Sequence, residues 1–247
     1  MRFPVRCFAS IAAAALALCA ATVASSQSPS SSSTDQAPQS TPLTAPQPTY
    51  VTVDPLAGVH YDNRFDISLG AAYAHIKAGP TLLEGANLGG LNLSGSYWFA
   101  RRWGLEGTFR PTFGTSGAAP NVYHIDGPFV AQYMFAAGPQ WLGPHNKHAS
   151  LIAHALIGGA YGDFEKDLRG VSPSVVGFYN NQVAPAGIFG GHFDLNRSPR
   201  WVFRVTTDAL WTRYSTNYAT NISPSGGRNN WNYGMSVGLM YRFKGKR

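Results

Sequence analysis

The chain has two cysteines, Cys7 and Cys19, and both fall within its first twenty-six residues. With that stretch set aside, no disulfide and no thiolate metal site can form. Charge is scarce as well. Asp, Glu, Lys and Arg make up 13% of the residues, and the only glutamates are Glu84, Glu106 and Glu165. Beyond the opening segment, no run approaches the roughly 18–20 apolar residues that a membrane helix needs. These shortages argue against a soluble enzyme and against a helical membrane protein.

What the chain has instead is glycine, aromatic residues and a biased beginning. Residues 1–26 set Arg2 and Arg6 before an Ala/Leu-rich run and end in Ala24-Ser25-Ser26. That order of charged, apolar and small residues is a secretory signal peptide. Residues 27–62 open as a Ser/Pro/Gln/Thr-rich run with little to bury, and are expected to form a disordered periplasmic segment. Without Arg2 and Arg6, seventeen of the nineteen Lys/Arg stand against twelve Asp/Glu, a net charge of about +5. The folding unit is expected over 63–243, followed by a basic tail, 244–247.

Within that unit the dominant signal has a period of two. In WNYGMSVGLMYRF, one set is Trp231, Tyr233, Met235, Val237, Leu239, Tyr241 and Phe243; the other is Asn232, Gly234, Ser236, Gly238, Met240 and Arg242. The stretch Phe65 to Tyr73 alternates in the same way, as does Leu91 to Phe99 apart from Trp98. Trp103 to Arg110, Phe129 to Trp141 and Trp201 to Trp211 continue it. Leu151–Tyr161 and Val183–Leu195 are rich in Gly and Ala, with His154, His192 and Asp194 assigned to the polar side. Such alternation means strands. Spans of roughly 9–13 residues exceed the about 5–6 of a soluble sandwich and match what a tilted strand needs to cross a bilayer.

Connections give an independent argument. Long loops are expected at Lys77–Asn87, Gly114–Val122, Asp163–Asn181 and Ser215–Asn229, and short turns at Arg101-Arg102, Gly143–His148 and Asn196–Arg200. Long and short alternate without a break, which requires eight strands with both termini on the short-turn side. The fold class is therefore all-β: an eight-stranded antiparallel up-and-down transmembrane β-barrel, with its apolar set facing lipid.

The text GGHFDLNRSPRWVFRVTTDALWTRY followed by NYGMSVGLMYRF resembles the closing strands of small OmpA-type outer-membrane barrels, and AAGPQWLGPHNKHASLIAHALIGGA (136–160) resembles one of their strand–turn–strand units. The resemblance implies outer-membrane localisation, monomeric insertion among outer-membrane lipids, and a C-terminal signal read by the barrel assembly machinery: Ser236, Gly238, Tyr241 and Phe243. Many relatives end at that Phe, whereas here Lys244-Gly245-Lys246-Arg247 follows. No stretch of this sequence matches the peptidoglycan-binding domain of larger relatives, so cell-wall anchoring is not among the expectations carried over.

Inward-facing positions define an expected polar network: Asp66, Glu106, Arg110, Gln132, His154, Asp194, Arg204, Asp208 and Arg242. Charges inside so narrow a barrel must pair. Glu106 and Arg110, about 13 Å apart along one strand, are each expected to pair across strands rather than with each other. His124-x-Asp126 and His192-x-Asp194 each set two ligand types on one strand face, but spacing supplies no third ligand, so no metal or other cofactor is assigned. A lipid A-modifying enzyme would need a nucleophile, a base and an orienting group, and no catalytic residue can be named from the sequence.

Ten basic residues map to the short-turn side: Arg64, Arg101, Arg102, Lys147, Arg197, Arg200, Arg242, Lys244, Lys246 and Arg247. Snorkelling to periplasmic-leaflet headgroups accounts for them. Nucleic acid is excluded as a partner by export. The reading is a non-enzymatic integral outer-membrane protein with a structural or surface-contact role and an extracellular ligand expected, if anywhere, on the long loops. The alternatives are a lipid A-modifying enzyme, a narrow ion channel, and a soluble lipocalin-like binder, whose faces would be reversed.

Overall fold

A computed structural model describes residues 54–80, 82, 85–216 and 226–245. Residues 1–26, expected to be the export signal, residues 27–53 of the expected spacer, residues 217–225 of the last long loop, and Lys246 and Arg247 lie outside them.

The alternating stretches form eight strands: β1 Phe65–Ile76, β2 Ala86–Trp98, β3 Trp103–Thr115, β4 Phe129–His145, β5 Ala149–Asp163, β6 Gln182–Asn196, β7 Trp201–Thr216 and β8 Gly226–Arg242. Each pairs antiparallel with the next, and β1 pairs with β8 to close the barrel. Closure leaves no strand edge, so every strand finds backbone partners on both sides within hydrocarbon. The strands run longer than the alternating stretches suggest, most clearly at β8 and β4. The last strand begins at Gly226, because Thr216 still pairs with Gly226, and β4 reaches His145 through a register shift between Leu142 and His145. The second long loop extends to Pro128. The third carries one short helix, α1, Pro173–Val176, ended by Gly177 at φ 81°.

Period two becomes inside and outside. Along β1, Phe65, Ile67 and Leu69 are exposed while Asp66 and Ser68 are buried. The same holds around the barrel: Phe135 is 57% exposed and Ile157 71%, whereas Arg110 is 2% exposed and Asp194 0%. Large apolar groups in the open and charges in the interior are the reverse of a lipocalin and the arrangement of an outer-membrane barrel. Rings gather towards both rims. Trp103 pairs with Trp141 and Trp201 with Tyr241 on the short-turn side, while Tyr73 lies near Tyr233 and Phe113 near Tyr133 on the other.

The interior is not uniformly polar. On the long-loop half the inward residues include the apolar Ile76, Leu88, Met134, Leu156, Ile188 and Leu210 with Tyr214, all buried, interleaved with Thr112, Gln132, Thr212 and Asn230. Phe164, Leu168, Phe178 and Tyr179 descend onto them from the third long loop. The loop is tied to the first by a hydrogen bond from Tyr179 N–H to Ala78 O, 3.1 Å. A Cβ on Gly79 would stand 1.9 Å from Gly177 O, so the two loops meet backbone to backbone. The hydrophobic effect holds this lid on the barrel.

Candidate functional site

Beneath the apolar lid lies a polar layer to which most strands contribute. Directly opposed in register, Asp194 of β6 and Arg204 of β7 form a bidentate pair, Nε to Oδ1 2.8 Å and Nη2 to Oδ2 2.9 Å. Arg110 of β3 reaches across the lumen and donates through Nη2 to Asp208 Oδ2 of β7. Glu106, one inward step closer to the turns than Thr108, meets both imidazoles: Oε2 lies 2.9 Å from His154 Nδ1 and 3.0 Å from His192 Nε2. The two ring nitrogens are 3.1 Å apart. His154 Nε2 contacts Asp208 Oδ1 at 2.9 Å, and His192 Nδ1 contacts Thr206 Oγ1 at 2.8 Å. Among the described residues this is where three metal-ligating groups gather, their donor atoms all within 4.8 Å of one another.

Glycines make the room. A Cβ on Gly190 would come within 2.5 Å of Asp208 Oδ1, and one on Gly234 within 2.9 Å of Arg110 Nη1. Arg110 therefore crosses the lumen to a wall that carries no side chain at position 234, and Asp208 has glycine as its register partner on both neighbouring strands.

All nine residues of the expected network are buried in the lumen, but they form several groups. Glu106, Arg110, His154 and Asp208 join in one chain of contacts. Asp194 and Arg204 form a second. Asp66 Oδ2 accepts from Trp98 Nε1 at 2.7 Å. Gln132 lies higher, its Nε2 donating to Tyr214 Oη at 3.0 Å. Arg242 sits at the short-turn mouth with its guanidinium 4.6 Å over the Tyr61 ring; it fills that mouth rather than snorkelling outward with Arg64, Arg101 and Arg200, which are exposed.

Four further residues of this layer and its mouth were not placed in the expected network. His192 was weighed only with Asp194, since spacing along one strand shows nothing of β3 or β5. Thr206 carries no motif. Trp98 did give a signal, the one break in its strand's alternation, and that break is the ring turning inward to Asp66. Tyr61 falls in the segment read as spacer, yet residues 54–62 pack at the mouth. Tyr61 Oη donates to Asn146 O at 2.9 Å and accepts from Asn196 Nδ2 at 2.8 Å. Lys147 Nζ lies 3.0 Å from Asp54, whose carboxyl is held below its usual range first by the Leu56 N–H and then by that lysine. His124-x-Asp126 lies in the loop before β4 and on no strand face: His124 adopts φ 54° and Gly127 φ 50°, curling the chain away from sheet geometry. Of the C-terminal set, Ser236 is buried in the lumen and Phe243 is exposed, its N–H bonded to Phe65 O at 3.0 Å.

Thr206, His192 and Glu106 stand in the order hydroxyl, imidazole, carboxylate that nucleophilic catalysis uses. They are 1%, 2% and 2% exposed, enclosed within the lumen.

No protein-family model and no curated relative matches the chain. Solved structures of outer-membrane barrels resemble it. The attachment invasion locus protein Ail of Yersinia pestis is 20% identical over 74% of this chain and 99% of its own, with a TM-score of 0.43. OprG of Pseudomonas aeruginosa is 15% identical over 76% and 99%, at 0.47. Neisserial surface protein A is 15% identical over 72% and 97%, at 0.45.

Proposed function

We propose that this integral outer-membrane barrel is a closed, non-enzymatic envelope protein of OmpA-like layout, which anchors in the bilayer and offers its long loops for surface contact. One observation carries the reading: the lumen is filled along its length. Arg242 and Tyr61 occupy the short-turn mouth, the paired charges fill the middle, and Tyr214, Phe164 and Tyr179 close the far end. An eight-stranded barrel is only wide enough for its own side chains, and ions would have to break buried pairs to pass. Exposed Arg101, Arg102 and Arg200 beside the turns suit anionic headgroups. In this reading residues 1–26 export the chain, and Ser236, Gly238, Tyr241 and Phe243 present it to the assembly machinery. It inserts as a monomer.

The decisive measurement is conductance of the purified protein in planar bilayers. A silent bilayer is expected with folded protein present. Discrete openings abolished by Arg110→Ala or Glu106→Ala would replace this reading with that of a narrow channel. Lipid A mass spectra that change with expression of the protein would replace it with an enzyme.

A further inference from the structure

We propose that Glu106, His154 and His192 form a site for one divalent first-row transition-metal ion, bound inside the barrel as a cross-lumen tie between β3, β5 and β6. The first observation is convergence. His154 Nδ1, His192 Nε2 and Glu106 Oε2 lie 2.9, 3.0 and 3.1 Å from one another, a nearly equilateral triangle. An ion about 2.0–2.1 Å from each nitrogen and oxygen sits about 1 Å off that plane. Glu106 Oε1, 3.2 Å from His192 Nε2, is available as a second carboxylate ligand.

The second observation is the far side of each ring. Metal-bound imidazoles hold their other nitrogen in a hydrogen bond that fixes tautomer and orientation. Here His154 Nε2 meets Asp208, which Arg110 holds in turn, and His192 Nδ1 meets Thr206 Oγ1. With its proton on Nε2, facing Asp208, a neutral His154 aims the Nδ1 lone pair at the Glu106 carboxylate.

Hydrogen bonding uses two of the three contacts: both imidazoles can donate to Glu106 Oε2, and the 3.1 Å approach of His154 Nδ1 to His192 Nε2 then carries no bond of its own. A metal ion uses all three at once, because each atom then donates an electron pair to the same centre. The donor set also selects the class of ion. Two imidazoles and a carboxylate suit Zn²⁺, Fe²⁺, Co²⁺ or Ni²⁺, whereas Ca²⁺ and Mg²⁺ prefer oxygen alone.

The test uses the full chain in detergent, stripped of metal while unfolded and refolded with Zn²⁺, then freed of loose ions by gel filtration. Metal analysis is expected to find about one Zn²⁺ per folded chain, falling at least tenfold in Glu106→Gln and His192→Ala. Refolding with Co²⁺ is expected to give visible d–d absorption that added Zn²⁺ abolishes; this reading needs only the wild type, should a variant not fold. Wild-type protein that folds without retaining metal and gives no Co²⁺ spectrum overturns the proposal. So does equal retention by folded variants, which would assign the ion to exposed histidines such as His60, His145 and His148.

Discussion

Gly70 of β1 and Gly238 of β8 stand directly opposite each other at the seam where the barrel closes. A Cβ on Gly238 would lie 2.2 Å from Leu69 O and 2.3 Å from Gly70 Cα, and one on Gly70 would lie 2.7 Å from Val237 O. The first and last strands thus meet at a point where neither wall tolerates a side chain. Gly238→Ala is expected to destabilise the folded barrel by about 1–3 kcal/mol, the usual cost of overpacking. Heat-modifiable migration in detergent gels should be lost at a lower temperature than in wild type. An unchanged transition would mean that the seam is looser than its geometry.

The Asp194–Arg204 pair lies wholly inside the lumen, so removing one partner leaves the other charge buried. Asp194→Ala should cost about 3–5 kcal/mol in urea unfolding from micelles, while replacing both residues by apolar ones of similar volume should cost far less. Equal losses in the single and double variants would show that the pair is wetted and weakly coupled.

On β8 adjacent residues see opposite solvents. Val237→Arg places a charge on the lipid face and should cost about 2–4 kcal/mol near the bilayer midplane. Spin labels should find Val237 and Leu239 accessible to a lipid-soluble relaxant, and Ser236 shielded from it. The reverse pattern would turn the barrel inside out.

At the short-turn mouth, Tyr61 is held by Asn146, Asn196 and the Arg242 guanidinium. Tyr61→Ala removes a cation–π contact worth about 0.5–2 kcal/mol together with both hydrogen bonds. Faster amide exchange is expected over residues 54–62, with β3 to β6 unaffected. Exchange rates that stay at wild-type values would mean that the segment is held by other contacts.

The architecture was legible in the sequence because its cause is local. A pleated strand sends successive side chains to opposite faces, so Phe65, Ile67 and Leu69 against Asp66 and Ser68 already state which side meets lipid. The alternation of short and long connections gives the strand number. Less was visible where both faces carry similar residues. Leu88, Met134, Ile188 and Leu210 point into the lumen, and no period distinguishes an inward leucine from an outward one. Their environment comes from the third long loop folding over them.

What the sequence by itself determined is therefore the direction in which side chains point wherever the two faces of a strand differ in polarity. Which inward residues meet was decided only by the tertiary structure. Glu106, His154 and His192 come from three strands, with β4 lying between the first two. Their meeting depends on the curvature of the closed sheet and on the stagger between strands. Both arise from the summed pairing of all eight strands, and no single stretch of chain encodes them.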